Sequence, residues 1–203
     1  MITLNEGTSH IYTLDGDDFI SSSNANLNKI YAGAGSDTIA ITGKGMGTNT
    51  IYTHTDGINS PNLDSQNDTN TVTVTGDSSN DIYGGVGNDT ITITGNGNNT
   101  ISLGDGTNIV TISGNGTNNI TTGDGNDTIT ITGSGKATVN AGLGNDTIET
   151  GSGNDIIYTN NSKDSDFDTI KIYKFTQNLT KLTTSNQIAT KKIYNFKSYK
   201  SVA

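Results

Sequence analysis

The chain has 203 residues, of which only 30 % are hydrophobic, with 26 Gly and neither Trp nor Cys. A conventional globule of that length needs a richer core, so the composition leaves disorder or a repeat fold with a thin core. The formal charge of −9 disfavours nucleic acid, whose phosphates call for a basic surface. The absence of Cys removes a disulfide framework and a Cys-based zinc site.

The first ten residues, Met1 to His10, have no basic n-region and no apolar h-region, so they do not read as a secretory leader. No apolar run is long enough to span a membrane. A rhythm begins almost at once. Short Thr/Ile runs present an apolar residue at Ile11, Ile20, Ile30 and Ile39, spaced by 9 or 10, and at Ile51 after 12. This early start predicts a piece of a larger protein, with Met1 an addition to it. Residues 53–68 then break the rhythm with His54 and the only Pro, Pro61. They read as a surface excursion, which solenoids tolerate, in preference to a binding loop. The rhythm resumes at Val72, Ile82, Ile91, Ile101, Val110, Ile120, Ile129, Val139, Ile148 and Ile157, again at intervals of 9 or 10. From about residue 161 it fades. Residues 167–173 and 192–196 read as strands with aromatics, and 161–203 as a cap or the start of a following β segment. This tail is basic: eight Lys lie between Lys163 and Lys200, against three in residues 1–160.

Two such half-turns make a coil of about 19 residues, and disorder has no need of a register. Alternation puts Ile91 and Ile93 on one face and Thr90, Thr92 and Thr94 on the other. Val, Ile and Thr favour strands, and Gly permits tight turns. The prediction is an all-β, parallel β-roll over residues 1–160, with a narrow apolar column between two sheets. Its two edges differ. The residues two places before each apolar marker are Asp18, Asp37, Asn70, Asp89, Asn108, Asp127 and Asp146 on one edge. On the other they are Ser9, Asn28, Asn49, Asn80, Asn99, Asn118, Ala137 and Asp155. Carboxylates stacked about 4.8 Å apart repel by about 3 kcal/mol per pair at an effective dielectric of 20. A hard divalent cation with oxygen ligands answers that repulsion, and Ca²⁺ accepts mixed carboxylate and backbone-carbonyl shells. The Asn edge needs none, because stacked amides hydrogen-bond to one another. Catalytic motifs such as HExxH, a GxSxG elbow or a Walker A loop are absent, and His10 has no partner motif, so no enzyme is predicted. The outward Thr columns read as soluble β-formers; Ile109 and Glu149 interrupt them, which counts against an ice-binding array.

The turns resemble the RTX (repeats-in-toxin) calcium-binding nonapeptide Gly-Gly-x-Gly-x-Asp-x-U-x, where U is a large apolar residue. Gly84-Gly85-Val86-Gly87-Asn88-Asp89-Thr90-Ile91-Thr92 fits every fixed position. The turns at Gly33 to Ile39, Gly123 to Ile129 and Gly142 to Ile148 lack only the first Gly, and Gly151 to Ile157 also fits. The one-edged, long-coil form is similar to the roll of giant bacterial RTX adhesins. The Thr that those rolls carry in the turn is here Val86, Asp105, Asp124 or Leu143. The resemblance implies several Ca²⁺ ions shared between Asp residues of successive coils and turn carbonyls. The implied ligands are Asp18, Asp37, Asp89, Asn108, Asp127, Asp146 and Asp155, with Asp105 and Asp124. Carbonyls would come from Gly35, Gly85, Gly87, Gly106, Gly123, Gly125, Gly142 and Gly144. It further implies a calcium-dependent folding and structural module, secreted by a type I route or held at a bacterial cell surface, in an adhesin or surface-layer protein. Its partners would be calcium, the rest of a larger parent, and a cell-surface or self-association partner. The alternatives are the chaperone-like tail of a type I-secreted RTX enzyme and an ice-binding module.

Overall fold

The computed structural model describes residues 1–4, 9–23, 27–43, 45–54, 68–160, 166–172 and 181–184. Among them are eighteen strands and no helix long and apolar enough to cross a membrane. In chain order these are β1 (Ile2–Leu4), β2 (Ser9–Tyr12), β3 (Phe19–Ser22), β4 (Leu27–Tyr31), β5 (Thr38–Thr42), β6 (Thr48–Tyr52), β7 (Thr71–Thr75), β8 (Ser79–Gly85) and β9 (Thr90–Thr94). There follow β10 (Asn99–Leu103), β11 (Ile109–Ser113), β12 (Asn118–Thr121), β13 (Thr128–Thr132), β14 (Ala137–Asn140), β15 (Thr147–Thr150), β16 (Ile156–Thr159), β17 (Thr169–Ile172) and β18 (Lys181–Thr184).

The odd strands form one nine-stranded sheet and the even strands another, each in chain order and parallel throughout. Each strand of one sheet is the crossover for its neighbours in the other, so the parallel pairs need no helix. The result is the parallel β-roll that the spacing predicts. Ile91, Val110, Ile129 and Ile148 stand in one row, in register with no slip. Alternation is clean: β9 buries Ile91 and Ile93 and turns its Thr residues outward. The core is a column made mostly of Ile and Val, with Leu103 and a few Ala, buried from Ile11 to Ile172.

Homologous positions are mostly 19 residues apart. The exceptions are informative. The interval is 21 residues from Asn28 to Asn49 and 31 from Asn49 to Asn80. The longer one contains the excursion, of which 55–67 lie outside the described residues. The stack absorbs both, because Ile39 still pairs with Val72. One coil is a residue short, with 18 between Ala137 and Asp155. The stack runs on past residue 160: Ile170 of β17 pairs with Ile148, and Leu182 of β18 pairs with Ile157. The segment predicted as a strand at 192–196 lies outside the described residues.

Candidate metal centre

Each strand of the odd sheet from β3 onward is preceded by a turn that delivers an Asp or Asn two residues ahead of the inward Ile or Val. Residues two apart share a face, so these side chains point inward as well. Asp37, Asn70, Asp89, Asn108, Asp127, Asp146 and Asp168 are all 2 % exposed or less; Asp18, near the end of the stack, is half-buried. They form a continuous row. Asp37 Oδ1 accepts the backbone N–H of Asp18 at 2.9 Å, Asn70 Oδ1 that of Asp37 at 2.9 Å, and Asp89 Oδ1 that of Asn70 at 3.2 Å. Asn108, Asp127, Asp146 and Asp168 continue it, accepting from Asp89, Asn108, Asp127 and Asp146 at 2.8–3.0 Å. One side-chain oxygen per coil therefore ties that coil to the one before it.

The other carboxylate oxygen has a different fate. Oδ2 of Asp37, Asp127, Asp146 and Asp168 is buried without a hydrogen-bond partner. An ionised carboxylate is costly to bury unless its oxygens are satisfied. Burial accordingly pushes Asp37 up to about 7, Asp127 to about 6 and Asp146 to about 7. The N–H bond from the preceding coil pulls Asp37 and Asp146 back, and neighbouring Asp charges raise them again. The Asn108 N–H that Asp127 Oδ1 accepts pulls Asp127 back. No group of three or more His, Cys, Asp or Glu converges among the described residues. A cation here would thus draw much of its shell from backbone carbonyls, and Ca²⁺ accepts such a shell.

The turn geometry supplies carbonyls at close quarters. Gly35, Gly85, Gly87, Gly106, Gly123, Gly125, Gly142 and Gly144 all lie in these turns with positive φ. At Gly125 a Cβ would stand 1.9 Å from the Gly106 carbonyl oxygen of the preceding coil. Beside the row, Gly84 leaves the space for a buried carboxylate: a Cβ there would be 2.3 Å from Asp89 Oδ2.

Asn108 behaves unlike its Asp neighbours. Its Nδ2 donates to the carbonyls of Gly104 and Thr122, both at 3.0 Å. Its oxygen and its nitrogen are therefore both committed within the roll. Asp105 and Asp124 stand on the exposed rim, away from the buried row, where Asp105 Oδ1 accepts the Asp124 N–H at 3.0 Å. Asp155 lies on the opposite edge, its Oδ1 accepting the Ala137 N–H at 2.9 Å.

That opposite edge is an amide ladder. Asn28 Nδ2 donates to Asn49 Oδ1, Asn49 to Asn80, Asn80 to Asn99 and Asn99 to Asn118, at 2.7–2.9 Å. Asn80 and Asn99 each give a second N–H to the carbonyl two residues earlier, and Asn118, whose next rung is Ala137, donates to the Gly116 carbonyl. The amides thus bond to one another along the ladder, whereas the carboxylate edge has spare buried oxygens.

Sequence reasoning missed Asp168. The signal was present, since Asp168-Thr169-Ile170 repeats the triplets at Asp37, Asp89, Asp127 and Asp146. The 22-residue interval from Asp146 hid it from a search for spacings of 19. Sheet register also makes the outward Thr into aligned columns, Thr71–Thr90–Ile109–Thr128 and Thr73–Thr92–Thr111–Thr130–Glu149, with the predicted interruptions in place.

A parallel roll of repeated coils, with glycine turns and a carboxylate row along one edge, defines a repeat-built β-solenoid of the calcium-roll class. The RTX calcium-binding nonapeptide repeat matches in four copies, over residues 27–40, 74–110, 112–130 and 131–165. These cover more than half of the chain, which therefore belongs to the RTX calcium-binding nonapeptide repeat family. No curated protein and no solved structure matches it.

Proposed function

We propose that this roll is a calcium-dependent structural module of a secreted or cell-surface bacterial protein, of adhesin or surface-layer type. The observation that carries the reading is the contrast between the edges. One holds buried carboxylate oxygens of Asp37, Asp127, Asp146 and Asp168 without hydrogen-bond partners, and the other has an amide ladder closed on itself. Family membership supports calcium as the cation, because RTX repeats bind it and RTX proteins are typically secreted by bacteria. Asp37, Asp89, Asp127, Asp146 and Asp168 would hold the ions with carbonyls from turns such as Gly85–Gly87, Gly104–Gly106 and Gly123–Gly125; Asp18 would contribute at the N-terminal end. Calcium would neutralise the row and satisfy its oxygens. The role is structural, not catalytic.

A ligand that binds only the folded state adds its binding free energy to folding. The thin core and the carboxylate repulsion together leave the metal-free chain short of stability at neutral pH. Far-UV circular dichroism at pH 7 should change from coil in excess EGTA to β as Ca²⁺ is added. A full β spectrum in excess chelator would overturn the reading.

A further inference from the structure

The outward face of the even sheet carries a feature that calcium does not explain. Tyr12, Tyr31, Tyr52 and Tyr83 occupy one register position in β2, β4, β6 and β8. Their rings stack face to face, with centroids 4.7, 4.9 and 4.8 Å apart and interplanar angles of 6°, 4° and 10°. The 31-residue interval before Asn80 leaves this stacking intact, because β6 and β8 keep register across it. The same position continues as Ser102, Thr121, Asn140 and then Tyr158. Four phenols are therefore contiguous, and the fifth tyrosine of the column is separated from them by three non-aromatic rungs.

Each inner ring has its faces covered by its neighbours, so the ladder presents ring edges to solvent. That disfavours a ligand needing an open aromatic face, such as a sugar ring. It favours chemistry between the rings themselves. The ortho carbons of one phenol lie one strand spacing from those of the next, held by a backbone ladder that fixes the register. The chain has no Cys, so no disulfide can tie one coil to another.

We infer that the Tyr12–Tyr31–Tyr52–Tyr83 ladder is a site of oxidative cross-linking, in which neighbouring tyrosines couple to dityrosine and staple successive coils. The co-reactant is a one-electron oxidant of the peroxide-fed haem peroxidase class. Two adjacent phenols each lose an electron and the hydroxyl proton, giving two neutral phenoxyl radicals. An ortho C–C bond forms between them. Each coupled carbon then releases its hydrogen as a proton, and each phenoxyl oxygen regains one, restoring both aromatic phenols. In total two electrons and two protons leave the pair, and one hydrogen peroxide is reduced to two waters. The link closes a chemical loop across a coil, so it restricts the unfolded chain in the way a disulfide does.

The test is to treat the full chain, dilute and with calcium present, with haem peroxidase and hydrogen peroxide. Dityrosine fluorescence and peptide mass mapping are read out beside a parallel sample unfolded in urea. The folded chain should give intrachain links, each with the mass loss of two hydrogens, joining Tyr12 to Tyr31, Tyr31 to Tyr52 and Tyr52 to Tyr83, with none at Tyr158. Tyr31→Phe, which keeps the stacked ring, should lose the two links that involve position 31 and keep the third. Links that form equally in urea, that include Tyr158 as often as Tyr83, or that join only separate chains would overturn the proposal. The comparison is between folded and unfolded chain, so it stands or falls independently of which cation occupies the opposite part of the roll.

Discussion

Asn108 sits in the carboxylate row between Asp89 and Asp127, 19 residues from each, and its side chain shows how one atom decides a site. Its oxygen takes the Asp89 N–H, and its nitrogen bridges the carbonyls of Gly104 and Thr122. An Asp in that place would keep the first bond and lose the second, freeing two carbonyls and adding a formal charge. Calcium sites tighten with carboxylate number when the ion absorbs the repulsion. Asn108→Asp should therefore lower the calcium midpoint of folding, and Asp127→Asn should raise it, by more than Asp18→Asn at the half-buried end of the row. Calcium titrations of the three variants followed by circular dichroism check the order; an unchanged midpoint in Asp127→Asn would remove the buried carboxylates from the ligand set. The row from Asp18 to Asp146 was legible in the sequence from its place before each apolar marker, and only Asp168 escaped it. Its burial follows from parity, because a residue two places before an inward Ile must also face inward. What spacing could not supply was the division of labour between the two oxygens, since that depends on where the preceding coil's N–H lands.

At the scale of strands and turns, the alternation of Ile with Thr fixes which face is core, and the turns fix how closely coils approach. Strands β9 and β13 could be read directly, because Thr90-Ile91-Thr92-Ile93-Thr94 and Thr128-Ile129-Thr130-Ile131-Thr132 alternate without exception, and β11 departs from that pattern only at the outward Ile109. The strands after residue 160 were harder, since three extra residues displaced Asp168 from the expected step. The Tyr ladder was equally hidden. Tyr12, Tyr31, Tyr52 and Tyr83 are unevenly spaced in sequence, and only the absorption of the excursions by the sheet brings them into one column. The glycines of the turns separate two roles. Gly16 and Gly125 both have positive φ, 115° and 143°, but a Cβ at Gly16 meets nothing within 4 Å, while at Gly125 it stands 1.9 Å from the Gly106 carbonyl. Gly16→Ala carries the conformational cost alone, about 1–2 kcal/mol for the left-handed region. Gly125→Ala adds a backbone clash and should destabilise considerably more, enough to break the stack there. Urea unfolding at saturating calcium compares them. Equal losses would show that the close approach of coils is not what requires Gly125.

For the molecule as a whole, the buried carboxylate row links folding to protons and, on the proposed reading, would link it to calcium as well. Asp37, Asp127 and Asp146 bind a proton more tightly in the folded roll, with values near 7, 6 and 7, than an unfolded Asp does at about 3.9. Between these limits the folded chain holds more protons than the unfolded one, so metal-free stability must rise as pH falls through that window. The proton-linked stability is fully present below about pH 4 and is lost as pH rises through the folded values. In calcium-stripped buffer the β signal should therefore grow on acidification from pH 7 toward pH 4, and the calcium needed to complete folding should fall; a metal-free chain that loses β structure over that range would contradict the burial of these groups. Whether calcium fills the carboxylate edge is settled by a crystal structure grown in excess calcium, with the ions located by anomalous scattering. A line of ions should lie beside the carboxylates of Asp37, Asp89, Asp127, Asp146 and Asp168, and none along Asn80, Asn99 and Asn118. A carboxylate edge without ions, or a filled row on the amide ladder, would contradict the calcium reading.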